Sequence, residues 1–171
     1  MTLGWFGLEQ NAAPGAADAM LHRLAHDLMD QGIRVAGAVQ INSAADPDCA
    51  CDMDVAILGD DTPPIRISQS LGAGSAGCRL DPGALEQAAM RVRPRIADAQ
   101  LLILPKFGRQ EAMGRGFRDV IAQAMSEGVP VILHVPEPQR PAFAQFSGEL
   151  AQRVAASDLA DWCALSLRGQ A

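Results

Sequence analysis

Apolar residues follow two alternating rhythms along this chain. Leu3–Leu8, Ile33–Ile41, Leu101–Leu104 and Val129–Val135 are short, nearly continuous apolar runs, separated by stretches in which apolar positions recur every three or four residues. A short run without polar alternation is the pattern of a strand buried on both faces of a parallel sheet. The spaced stretches predict helices. Ala17, Met20, Leu21, Leu24 and Leu28 share one face of a helix over 16–30, which Gly32 stops. Asp81-Pro82 reads as a helix cap and first-turn proline, followed by Leu85, Ala88, Ala89, Val92 and Ile96 at helical spacing. A third helix is expected over 117–125. Pro136, Pro138 and Pro141 then break the chain before a last helical region running through Leu150 and Val154.

Met53–Leu58 and Ile65–Ile67 flank the turn-rich Gly59–Pro64 and predict a hairpin. Strands alternating with helices imply an α/β fold: a mainly parallel sheet flanked by helices, with a small antiparallel insertion near residues 53–67. At 171 residues the chain reads as a single domain over 1–171, long enough to bury a real core.

Composition narrows the function classes. A hydrophobic content of 49% with 20% charged residues is that of a folded chain. A net charge of -6 and a pI near 4.9 argue against a general nucleic-acid binder. No run approaches the roughly 20 apolar residues of a membrane helix, and the first residues lack a basic-then-apolar leader. The protein is therefore read as cytoplasmic, with no membrane partner and with its four cysteines mostly as thiols. The acidity is uneven: six aspartates and no Lys or Arg lie between Asp46 and Asp61, whereas Lys106 to Arg118 is locally basic. A small anionic ligand can find a favourable pocket on such a chain.

That basic stretch is the leading candidate site. It leaves a buried strand and enters a helix, carrying Lys106, Arg109 and Arg115 among Gly108, Gly114 and Gly116, with Glu111 able to pair one of the cations. Loops that leave a strand and enter a helix are where α/β proteins bind small anions. A second glycine-rich loop, GAGSAG, brings Gly72, Gly74 and Ser75, with Arg79 just beyond, and is expected to close over the same ligand. Its glycines match G-x-G-x-x-G literally. The helix starts four residues too late, however, and no acidic residue ends the next strand, so dinucleotide binding does not follow. Cys51 and Cys78 are the candidate metal ligands, the competing reading being free thiols, since the paired spacing of a zinc site is missing. The aspartates around Cys51 lack the glycine and glutamate of a calcium loop. His22 and His26 stand one helical turn apart, opposite the apolar stripe, and read as exposed bystanders; His134 reads as a core histidine closing a strand.

From Gly32 to Val135 the order of elements resembles the THEP-type nucleoside-triphosphatases, a branch of the P-loop proteins. That family ends a strand with D-E-I-G-x-M-E, whose leading carboxylates serve magnesium and water activation. Here Pro105-Lys106-Phe107-Gly108-Arg109-Gln110-Glu111 stands at the matching place. The phosphate loop G-x-x-x-x-G-K-[ST] is missing: the first strand-to-helix turn reads Gln10-Asn11-Ala12-Ala13-Pro14-Gly15-Ala16-Ala17-Asp18, with Ala16 in place of the lysine. Closer still, GIRVAGAVQ, LGAGSAGCRLDP and KFGRQEAMGRGFRD resemble an uncharacterised bacterial family of the same clan, often found beside molybdate-transport genes. The resemblance implies a degenerate P-loop domain binding a nucleotide or a small oxyanion, with molybdate or tungstate as candidates in metal homeostasis. With the lysine and strand-end carboxylates gone, it implies a non-catalytic binding protein. One alternative is a divergent nucleoside-triphosphatase drawing carboxylates from Asp52, Asp54 or Glu111. A second is a cysteine-based metal- or redox-responsive adaptor. A homo-oligomer or a protein partner stays open.

Overall fold

The computed structural model describes residues 2–43, 52–69 and 79–169, with only the backbone of Arg79. Nine strands occur among them: β1 (Leu3–Phe6), β2 (Val35–Ser43), β3 (Asp52–Ile57), β4 (Ile65–Arg66), β5 (Ser68–Gln69), β6 (Arg79–Leu80), β7 (Leu101–Leu104), β8 (Val131–His134) and β9 (Ala151–Arg153). The helices are α1 (Ala16–Asp30), α2 (Pro82–Val92), α3 (Arg109–Ala112), α4 (Arg118–Ser126), α5 (Arg140–Ser147) and α6 (Leu159–Arg168).

Seven strands form one sheet in the order β4-β3-β2-β7-β8-β1-β9; β5 and β6 make a separate two-stranded pair. The pairs β2–β7, β7–β8, β8–β1 and β1–β9 are parallel, while β2–β3 and β3–β4 are antiparallel. The parallel sheet and the antiparallel edge over 52–66 thus match the sequence reading. The apolar runs are continuous because each parallel strand feeds two cores. On β7, Leu102 and Leu104 pack with α2, α4 and α5; Leu101 and Ile103 pack with α1 and α6. All four are fully buried. Asp81 caps α2 by accepting from the Gly83 and Ala84 amides at 2.9 and 3.2 Å, so this helix starts where the sequence placed it.

The last helical region is corrected. A helix continuous through Val154 does not form: α5 ends at Ser147, and Gly148 turns the chain at φ 54°. Ala151–Arg153 then joins the sheet edge parallel to β1. This strand has neither rhythm that marks the others, because Gln152 and Arg153 lie exposed on an edge. Trp162 and Cys163 then seat α6 on the second core.

Candidate functional site

Parallel strands β1, β2, β7 and β8 all deliver their C-terminal ends to one edge of the sheet, where open α/β folds bind ligands. At that edge the loop from Gly7 to Gly15 joins β1 to α1. Turns Ala12 N–H to Glu9 O and Ala16 N–H to Ala13 O, both 3.0 Å, shape it. Gly15 adopts φ 77° immediately before α1, and no side chain among the described residues caps the helix. The first-turn amides of Ala17 and Asp18 thus have no intrahelical acceptor, and the positive end of the helix dipole is open.

A cavity of about 500 Å³ lies against this loop, lined among others by Gly15, Ala16, Asp18, Lys106, His134 and Glu137. Gln10 ties the loop to the far wall by donating from Nε2 to Glu137 at 2.8 Å. Lys106 arrives from the end of β7. Its ammonium makes no hydrogen bond or ion pair among the described residues, yet its charge acts on Asp18, Glu111 and His134. Asp18 is half-buried; burial raises its pKa, while an Asn42 Nδ2–H donated at 2.8 Å and the charge of Lys106 pull the other way. Asn42 in turn accepts from Gln40 Nε2 at 2.9 Å. A polar ladder from β2 therefore fixes the carboxylate facing the lysine.

Arg140 supports the loop from below. Its guanidinium lies directly against Gly7, where a Cβ would overlap Nη2, and it donates to the Leu8 carbonyl at 3.4 Å. Its Nε is buried with no hydrogen-bond partner among the described residues.

The other sequence-derived residues distribute as follows. Arg109 opens α3 and Arg115 lies just beyond that helix, both exposed and neither ion-paired among the described residues. Glu111 is 3% exposed; Oε2 accepts the Gly108 amide and Oε1 the Phe117 amide, both at 2.9 Å. It shapes the loop rather than pairing a cation, which corrects the expected ion pair. Asp52 and Asp54 are likewise occupied, by Arg66 at 2.8 and 2.5 Å. Gly72, Gly74, Ser75, Cys51 and Cys78 lie outside the described residues, and Arg79 contributes its backbone to the β5–β6 pair. No group of three or more His, Cys, Asp and Glu gathers at metal-binding range among the described residues. Histidines 22 and 26 stack at 4.3 Å, and His26 Nδ1–H donates to the His22 carbonyl at 2.8 Å.

Asp18, Asn42, His134 and Arg140 escaped the reading of the sequence as site residues. Two of them were within reach of it: Asn42 and His134 stand at the C-terminal ends of predicted strands, where the parallel-sheet rule puts ligands.

His134 is half-buried, and its pKa is pushed down to about 4 by burial first, then by the charges of Lys106 and Arg140. The unfolded chain takes up this proton near 6.5, the native protein only near 4. The native state therefore loses stability as pH falls through that window. Relative to His134→Gln, the wild type is expected to lose about 2 kcal/mol between pH 7 and 4.5, partial solvent screening included. Thermal melts of the two proteins across that range check this; a constant difference would place the ring in a wetter setting.

Residues 9–162 match the model of a family described as "Protein of unknown function (DUF2478)". Over 132 residues, 77% of its length, the chain is 39% identical to a protein named Molybdenum import ATP-binding protein ModC 2 from Bradyrhizobium diazoefficiens. It spans 15% of that protein's length. It is also similar to the solution structure of a human cancer-related nucleoside triphosphatase, with a TM-score of 0.64, 16% identity and 96% of both chains covered. The fold is that of a P-loop NTPase-like α/β protein. No helix among the described residues is long and apolar enough to cross a membrane.

Proposed function

The chain belongs to the DUF2478 family, and we propose that it binds the phosphate groups of a nucleotide at the β1–α1 loop, with Lys106 as their charge partner. One observation carries this reading: an uncapped helix N-terminus and a lysine without a partner among the described residues face the same cavity. Helix N-termini of this kind bind phosphate through free amides and the dipole. The volume favours a nucleotide over a bare tetrahedral oxyanion, because about 500 Å³ falls in the range of whole-ligand pockets. The ATP-binding relative and the nucleoside triphosphatase of like fold point the same way. Molybdate or tungstate is the smaller ligand that the same donors would hold, and the relative's role in molybdenum import is the support for it. Arg109 and Arg115 are proposed to supply further positive charge, and Gly72, Gly74, Ser75 and Arg79 to contribute further ligand contacts. Binding without turnover is the leading form, since the loop lysine is replaced by Ala16.

Titration calorimetry with ATP, GTP, molybdate and tungstate tests the reading. Lys106→Ala is expected to weaken the bound ligand about 10- to 100-fold, the worth of one charge-assisted hydrogen bond. An unchanged affinity would move the site elsewhere. Response to molybdate but not to nucleotides would reassign the ligand.

A divergent nucleoside-triphosphatase is the second reading, favoured by the carboxylates that line the cavity, Glu9 and Asp18 beside the Glu137 that Gln10 occupies. It requires magnesium-dependent phosphate release that disappears in Asp18→Asn or Glu9→Gln.

A further inference from the structure

P-loop NTPases hold magnesium between a hydroxyl in the first helical turn and a carboxylate at the end of a neighbouring strand, where the ion bridges phosphate oxygens. The residues of this chain do not fit that ion. Ala17 offers no hydroxyl at the helix start, and β7 runs out into Pro105 and Lys106. The carboxylate of the first helical turn, Asp18, already accepts from Asn42 at 2.8 Å and lies within the field of Lys106. The two charges have exchanged sides of one cavity: the cation comes from the strand end and the anion from the helix. Lys106 therefore stands at the strand-end position from which those proteins offer the metal a carboxylate, and it lines the cavity with its charge. Magnesium dehydrates reluctantly and wants an octahedron of oxygens, which a lysine cannot join.

From this arrangement the geometry points to a phosphate site that works without a divalent cation, taking the free oligophosphate in preference to its magnesium complex. The inference rests on the reading that this cavity holds phosphates. Lys106 and the open amides of α1 supply the positive charge that magnesium supplies elsewhere. A ligand already carrying magnesium brings less negative charge and sets a second cation beside Lys106, so its attraction falls.

Calorimetric titration of the full chain with ATP and with inorganic tripolyphosphate, in EDTA and in excess magnesium at matched ionic strength, separates the possibilities. Affinity in EDTA is expected to be tighter, on the order of tenfold. Equal or tighter binding with magnesium overturns the inference and leaves the phosphate site standing. Absence of binding in both buffers overturns the phosphate reading itself, and the inference with it. Lys106→Met, neutral and similar in length, is expected to abolish the preference for metal-free ligand. A preference that survives in this variant would show that Lys106 is not its cause, and would overturn the inference.

Discussion

Replacing Gly37 by alanine is expected to lower the melting temperature by roughly 8–16 °C, from a loss of about 4 kcal/mol. Gly37 adopts φ 118°, a conformation that costs an L-residue about 1–3 kcal/mol. A Cβ there would also overlap the carbonyl oxygen of Ile103 and come within 2.8 Å of its carbonyl carbon. That neighbour is backbone in the middle of the sheet, so no side-chain rotation relieves the contact, and overpacking of this kind costs about 1–3 kcal/mol more. The position has a topological reason. Up to Gly37, β2 pairs in parallel with β7, opposite Ile103; from Ala38 onward it pairs antiparallel with β3. The glycine lets the strand leave one partner for the other. Beyond it lie Gln40 and Asn42, and beyond Ile103 lies Lys106, so a wedge between the strands also spreads the polar ladder from the lysine. A melting temperature within 3 °C of wild type would show that the strands part easily here.

The same strand shows where the sequence was legible. Burial on both faces writes itself as an unbroken apolar run, so β2, β7 and β8 could be read directly, and with them the parallel sheet. Asp81-Pro82 announced α2 because a cap is a local contact, and Gly32 announced the end of α1. Nothing in GIRVAGAVQ distinguishes Gly37 from a tolerated glycine; its necessity comes from the carbonyl of Ile103, more than sixty residues later. The edge strand β9 left no trace for the opposite reason, since an exposed edge needs no apolar residues. The candidate site divides along the same line. Lys106 could be picked out because it follows a buried run at a loop rich in glycine and arginine. That the carboxylate lining the same cavity is Asp18, held by Asn42, depends on how three elements meet at the sheet edge, and no spacing encodes that meeting.

Glu111 illustrates how a residue at the right place can have a different task, and its removal is the second large effect expected. Glu111→Ala leaves the amides of Gly108 and Phe117 buried without acceptors, at about 1–3 kcal/mol each, so a total of roughly 3–5 kcal/mol is expected. Glu111→Gln keeps the volume but offers a single oxygen, turning its NH₂ toward one of the two amides, and should cost about half as much. Chemical denaturation of the three proteins should therefore rank wild type above Gln above Ala; a wild-type midpoint in Glu111→Ala would show that water satisfies both amides. Gly116 is bound to the same arrangement, for at φ 59° its Cβ would overlap Oε1 of Glu111. Burial already raises the pKa of this carboxyl, and the amides and the charge of Lys106 act against that rise. Glu111 and Lys106 are consequently linked: the carboxylate folds the loop that aims the lysine, and the lysine favours the carboxylate's charged form. Loss of ligand binding in Glu111→Gln would then follow from a loosened loop. A catalytic carboxylate would lose turnover at unchanged stability, whereas this one is expected to lose ligand binding and stability together.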